Sequence, residues 1–253
     1  MLKIIISPAK KMNILEDFPC PLTSPVFLQK AEKLQSILRS MEPSELKTLW
    51  KCSDRLTQLN YERLRTYTLD RNLTPALLSY EGIQYQHIAP SVFTDPQWTY
   101  VLSHLRILSG FYGILAPGDG VIPYRLEMQA RLKTAHAQDL YGYWGDKLYT
   151  ALVEDGMTEL INLASAEYSK AVLPHAESDA AHQIRCITCT FGEMVNGKVR
   201  QKGTQAKIAR GEMVRWMAQM QIERAEDLRS FSELGYTFHP ELSSEEEFVF
   251  LKS

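Results

Sequence analysis

Three short stretches of this 253-residue chain set charged side chains beside rigid or small residues. Residues 7–11, SPAKK, carry Lys10 and Lys11 straight after the apolar run at 2–6. Residues 123–128, PYRLEM, place Arg125 two positions before Glu127. Residues 165–170, SAEYSK, bring Glu167, Tyr168 and Lys170 just behind a second apolar run, INLA at 161–164. Cations of this kind neutralise phosphate or carboxylate oxygens and donate hydrogen bonds to them. A glutamate among them adds a general base. Lys10, Arg125, Glu127, Tyr168 and Lys170 are therefore the candidates for chemistry. Each stretch also has a plainer reading: a solvated turn with two surface lysines, a mutual Arg125–Glu127 pair, or an ordinary strand end.

A fourth concentration of charge lies between 198 and 215. It holds Lys198, Arg200, Lys202, Lys207, Arg210 and Arg215 against Glu212 alone, inside a chain whose formal net charge is −2. The first three fall on a hairpin and loop, the last three on a following helix expected over 204–220 with Thr204 as its N-cap. Lys207 and Arg210, three apart, are neighbours on a helix surface. A basic loop feeding a helix start suits an anion through free N–H groups and side-chain cations. The alternative is a charged helix face balanced by acids elsewhere, such as Glu245, Glu246 and Glu247.

Metal and hydrolase chemistry find little support. The six histidines are scattered without an HxH, HxxxH or HExxH pattern, and there is no Walker A, EF-hand or GxSxG motif. Cys186 and Cys189 form a CxxC, but their flanks read as strand, where residues three apart point to opposite faces. No metal or cofactor is expected, and the four cysteines are read as reduced thiols of a cytoplasmic protein. No apolar run approaches the length of a membrane span, and the N-terminus shows no signal-peptide pattern.

The elements that position these residues follow from hydrophobic pattern and caps. Residues 2–6 are nearly all apolar, so both faces of that strand should be covered, as in a central strand. Ligands of open α/β sheets bind beyond such strand ends, where 7–11 and 165–170 would meet if their strands are parallel neighbours. Helices are expected over 25–39, from about 44 to 50, and over 54–67. Asp95–Pro96 opens another, whose apolar face runs through Val101, Leu102, Leu105 and Leu108 to Gly110. Further strands are expected at 160–164, 183–191, 194–198, 236–239 and 247–251. The order lacks a regular βαβ rhythm, so the chain reads as one mixed α/β (α+β) domain over 1–253, a mixed central sheet surrounded by helices. The glycines of LSGFYG (108–113) suit either a hairpin between helices that holds a DNA phosphate on its N–H groups, or a helix end followed by a buried aromatic turn. The aromatics of LYGYWGD (140–146) either pack or offer bases a stacking surface.

Taken in order, ISPAK (6–10), LSGFYGILAP (108–117), PYRLEM (123–128), LYGYWGD (140–146), INLASAEY (161–168) and AKIARG (206–211) resemble the YaaA family of peroxide-stress proteins, also called DUF328 or UPF0246. The resemblance implies a mixed α/β fold and a part in the oxidative-stress response tied to limiting free iron and its damage to DNA. It implies a positively charged cleft that binds duplex and branched DNA with low sequence specificity. It also implies a helix-hairpin-helix element, which falls here on 108–115 with Gly110 and Gly113 at the phosphate. The cleft cations are then drawn from Lys10, Arg125, Lys170, Lys207 and Arg210, each inside a matching motif, whereas Lys11, Lys198, Arg200 and Lys202 lie outside them. The alternative is an enzyme acting on a phosphorylated or nucleotide-like small molecule in the same cleft. Direct iron binding is disfavoured by the sparse histidines and cysteines.

Overall fold

The computed structural model describes residues 1–252. Eight strands form the main sheet: β1 (Leu2–Ile6), β2 (Leu105–Ser109), β3 (Gly113–Leu115), β4 (Glu159–Leu163), β5 (Arg185–Val195), β6 (Lys198–Arg200), β7 (Tyr236–Phe238) and β8 (Glu247–Lys252). Their order is β7-β8-β5-β4-β1-β2-β3, with β6 pairing β5 as a hairpin. The pairs β2–β1, β1–β4, β4–β5 and β5–β8 are parallel, and β3 and β7 close the two edges antiparallel. The expectation of a mixed central sheet flanked by helices is met, and the centre of that sheet is parallel. All five residues of β1 are buried, as its unbroken apolar pattern requires.

Helices α1 (Leu28–Arg39), α2 (Pro43–Trp50) and α3 (Asp54–Thr66) follow β1, as the sequence predicts. After them come α4 (Ala76–Ser79), α5 (Ile83–Ile88) and α6 (Asp95–His104). Next are α7 (Leu140–Trp144), α8 (Lys147–Glu154), α9 (Ala166–Ser169), α10 (Leu173–Glu177) and α11 (Gly203–Met220). Thr94 and Gln97 form a capping box at the start of α6, and Asp95 and Pro96 occupy its first turn. Thr204 lies inside α11, whose N-cap is Lys202.

The helix expected to continue from Asp95 to Gly110 stops at His104. Leu105, Ile107 and Leu108 instead enter β2, where they are fully buried next to β1. Short apolar runs satisfy both periods, and here parallel pairing with a buried strand decides the matter. The helix-hairpin-helix expected over 108–115 is therefore a β-hairpin: Leu108 pairs with Ile114 and Ser109 with Gly113.

The chain leaves β1 for β2 on one side and later returns with β4 on the other. The strand order thus reverses between β1 and β4, which opens a crevice at their C-terminal ends.

Candidate anion-binding site

That crevice is where the two motifs of apolar strand followed by small-residue turn come together. β1 and β4 run side by side in parallel, with Ile6 opposite Leu163. Directly beyond them the Ser165 backbone N–H donates to Ser7 Oγ at 2.8 Å, and Ser7 Oγ donates to Ser165 Oγ at 3.2 Å. Tyr85 of α5 donates its hydroxyl to the Ser7 carbonyl at 2.9 Å. Small side chains are needed here because two turns and a phenol meet at one point.

Around this stitch lies a cavity of about 430 Å³, lined among others by Lys10, Arg125, Glu127, Tyr168, Lys207 and Arg210. These come from the β1 turn, a strap after β3, α9 and α11, so the motif residues converge although they are far apart in sequence. Lys170 does not line the cavity. Its ammonium sits 5.0 Å from the centre of the Tyr141 ring, and it is exposed. Lys11 does line the cavity, beside Glu81, to which it donates at 2.5 Å. Lys198, Arg200, Lys202 and Arg215 lie outside its lining, and Lys202 is paired with Glu193 at 2.8 Å. Sequence spacing could place Lys207 and Arg210 on one surface. It could not show that Gln84 and Tyr85 of α5 form the opposing wall.

The 122–129 strap is held by its own aromatic. Tyr124 bonds Tyr80 Oη at 2.7 Å and Ser109 Oγ at 2.6 Å, and stacks on Phe111 with ring centres 5.0 Å apart. These contacts give Ser109 and Phe111 of LSGFYG a packing role without any phosphate. Gly110 is buried, and a Cβ on it would lie 2.6 Å from the Leu126 carbonyl oxygen. The glycine lets the strap cross the hairpin closely enough to aim Arg125 and Glu127 into the cavity. Gly113 is buried against Trp144. Neither glycine lines the cavity beyond β1 and β4, and both are accounted for by close packing.

Glu127 is a bridge. Its Oε1 accepts from Arg125 Nη2 at 3.1 Å and its Oε2 pairs with Lys10 Nζ at 2.9 Å. Glu167 is pushed above the usual carboxylate range chiefly by burial, and its Oε1 accepts the Gln129 N–H. Burial raises the phenols too, Tyr124 up to about 12 and Tyr168 further, so both remain protonated donors at neutral pH. The cavity wall carries five cations (Lys10, Lys11, Arg125, Lys207, Arg210) against three carboxylates, Glu81, Glu127 and Glu167. Lys207 and Arg210 have no ion-pair partner among the described residues.

Three buried donor atoms in this wall have no protein acceptor: Gln84 Nε2, Arg125 Nε and Arg210 Nε. An unsatisfied buried donor costs roughly 1–3 kcal/mol. Natural proteins keep few of them, and these three belong to residues that line one cavity. Burial without a carboxylate also lowers the pKa of the Arg210 guanidinium from its ordinary value. The arrangement suits an anion with several acceptor oxygens.

The CxxC thiols do other work. Cys189 is fully buried and Cys186 partly so, and burial pushes them up to about 12 and about 11. No group of three or more His, Cys, Asp or Glu that could hold a metal exists among the described residues. Thiols this protonated are poor nucleophiles. Alkylation of Cys189 by iodoacetamide is expected to be roughly 10³-fold slower in the native protein than in urea, measured by mass spectrometry. Comparable rates would show that the strand opens readily.

Residues 2–242 match the family model described as peroxide stress protein YaaA. A UPF0246 protein of Pediococcus pentosaceus is 49% identical over 252 residues, covering 100% of this chain and 98% of its own. One of Desulfitobacterium hafniense is 50% identical over 252 residues with the same coverage, and one of Lactiplantibacillus plantarum is 48% identical over 250, covering 99% of each chain.

Proposed function

Since the chain belongs to the YaaA (UPF0246) family of peroxide stress proteins, we propose that it serves the oxidative-stress response by binding a phosphorylated, nucleotide-sized ligand in the cavity beyond β1 and β4. The convergence of three unsatisfied buried donors, Gln84 Nε2, Arg125 Nε and Arg210 Nε, on one electropositive cavity carries this reading. A volume of about 430 Å³ falls in the range of small-ligand pockets. The partly buried guanidiniums of Arg125 and Arg210 would take the phosphate oxygens, and the protonated phenol of Tyr168 would add a neutral donor. If a reaction follows binding, Glu127 is the candidate base. In the free protein Lys10 and Arg125 already occupy both its oxygens, so it would act only once a ligand phosphate draws those cations away.

Calorimetry with ADP is expected to show binding that Arg210→Gln weakens at least tenfold, in line with loss of a charged hydrogen bond worth about 1.5–3 kcal/mol. No binding at millimolar ADP, or equal binding by the variant, would remove the support.

A second reading, non-specific binding of duplex or branched DNA, is favoured by the lysines at the mouth. The side chains of Lys10 and Lys11 are 66% and 72% exposed, and Lys207 is exposed as well. A duplex is too wide to enter, so its backbone would cross the rim while at most one nucleotide turned inward. Anisotropy with an unrelated duplex would then fall steeply with salt. Lys10→Ala and Lys207→Ala would each reduce the slope of log K against log salt by about 1. Flat salt dependence rules this reading out and leaves the small-ligand one standing.

A further inference from the structure

A second cavity, of about 620 Å³, opens between α1, the 134–137 turn, α7 and the start of α8. It shares no lining residue with the first. Its charged lining consists of Lys30, Lys33 and Lys147, with His136 beside them, and no carboxylate lines it. Neither Lys30 nor Lys33 has an ion-pair partner among the described residues, and the nearest carboxylate oxygen to Lys147, on Asp146, stands at 4.0 Å. A chain with 30 aspartates and glutamates has ample means to neutralise such a cluster and does not do so here.

Two of the lysines, Lys30 and Lys147, have contacts that place them. Tyr143 of α7 donates its hydroxyl to the Lys30 carbonyl at 2.9 Å, which ties α1 to α7. The Lys30 ammonium lies over the same ring, 5.4 Å from its centre. Burial, followed by the fields of Lys147 and Lys33, pulls the Lys30 amine below its ordinary range. Burial is the larger cause, and the two neighbouring ammonium groups act in the same direction. Lys147 Nζ reaches back to the Trp144 carbonyl at 3.5 Å, which sets it at the same opening. Because Lys30 already covers the Tyr143 ring, that face does not serve as a platform for a base, so the charged part of a ligand is what the cavity can recognise.

We infer that the Lys30–Lys33–Lys147 cavity is a separate binding site for a phosphate or pyrophosphate group, independent of the site beyond β1 and β4. An anion bridging three ammonium groups relieves their mutual repulsion and uses lysine as the point-charge phosphate ligand that it is. The group can belong to a free pyrophosphate-bearing molecule or to a nucleic-acid backbone.

The full chain carrying Arg210→Gln, which weakens the first site, is acetylated with a lysine-directed reagent and mapped by mass spectrometry. Inorganic pyrophosphate is expected to slow acetylation of Lys33 and Lys147 at least fivefold while leaving the exposed Lys51 unchanged. Calorimetry with pyrophosphate should show at least tenfold weaker binding when Lys33→Gln and Lys147→Gln are added. Absence of either result overturns the proposal. A parallel arm with duplex DNA assigns the source: protection by pyrophosphate alone indicates a free ligand, and protection by both indicates the backbone. Protection by the duplex without protection by pyrophosphate also overturns it, since the site would then depend on contacts outside this cavity. Failure of the first site leaves this readout intact, because neither lysine touches it.

Discussion

Alanine at position 211 is expected to lower stability by about 3 kcal/mol and to weaken ligand binding beyond β1 and β4 at least tenfold. A Cβ on Gly211 would lie 2.2 Å from the Gln84 carbonyl oxygen and 2.9 Å from His87 Cβ. The first of these is backbone, which no rotamer change can move aside. α5 would have to separate from α11, which it packs against through Gln84 and His87. Both walls of the site ride on this crossing, Gln84 and Tyr85 on α5, Lys207 and Arg210 on α11. A shift of α5 also pulls Tyr85 from the Ser7 carbonyl and loosens the stitch between the strand ends. Gly203→Ala is the control: nothing lies within 4 Å of a Cβ there, at the first residue of the same helix. Urea titration of the two variants should separate them clearly, with Gly203→Ala within about 0.5 kcal/mol of the parent. If Gly211→Ala also stays in that range, α5 and α11 are not the rigid frame that the site requires.

The same crossing shows what the sequence could and could not disclose. Lys207 and Arg210 are legible as a pair because helix period alone makes residues three apart neighbours. The run at 2–6 is legible as a doubly covered strand because it lacks alternation. From it follows the meeting of the 7–11 and 165–170 turns, given parallel pairing of β1 with β4. Lys170 belonged to the same motif yet points to Tyr141, because a residue at the end of a one-turn helix is oriented by that turn rather than by the strand before it. Gly110 is required by the close approach of the Leu126 carbonyl. A glycine demanded by close approach of a distant backbone looks the same in sequence as one demanded by a phosphate. Gln84 gave no signal: a glutamine inside a short helix is unremarkable until its amide is found buried without an acceptor. The Lys30–Lys33–Lys147 cluster was likewise hidden, since its third member lies on a helix far along the chain. Contacts between remote segments are the part of the fold that local pattern does not encode, and both cavities are built from such contacts.

Lys3 is the sharpest instance, and removal of its partner should be costly. It is the second residue of β1, 1% exposed, in a run that reads as apolar. Its ammonium donates to the Ser103 carbonyl at 2.7 Å and pairs with Asp155 Oδ2 at 2.7 Å. Arg106 of β2 pairs with the same oxygen. One carboxylate at the end of α8 is thus shared by two cations at the N-terminal end of the central parallel pair. Burial pulls the Lys3 amine below its ordinary range, while the Asp155 bond opposes that pull. Asp155→Ala leaves a buried ammonium and a largely buried guanidinium uncompensated, and should destabilise the protein by about 3 kcal/mol. Partial exposure of Asp155, at 37%, keeps the loss at the lower end for such clusters, because water can reach the space it vacates. Lys3→Met in the Asp155→Ala background should recover about half of the deficit, since a thioether of similar length needs no counter-charge. The cluster stands at the opposite end of β1 from the anion site, so ADP affinity below the melting range should be unchanged in both variants. Chemical denaturation supplies the first measurement and calorimetry the second. A stable Asp155→Ala protein would show that Ser103 and water suffice for Lys3. A stable but non-binding one would show that the two ends of β1 are coupled through the strand.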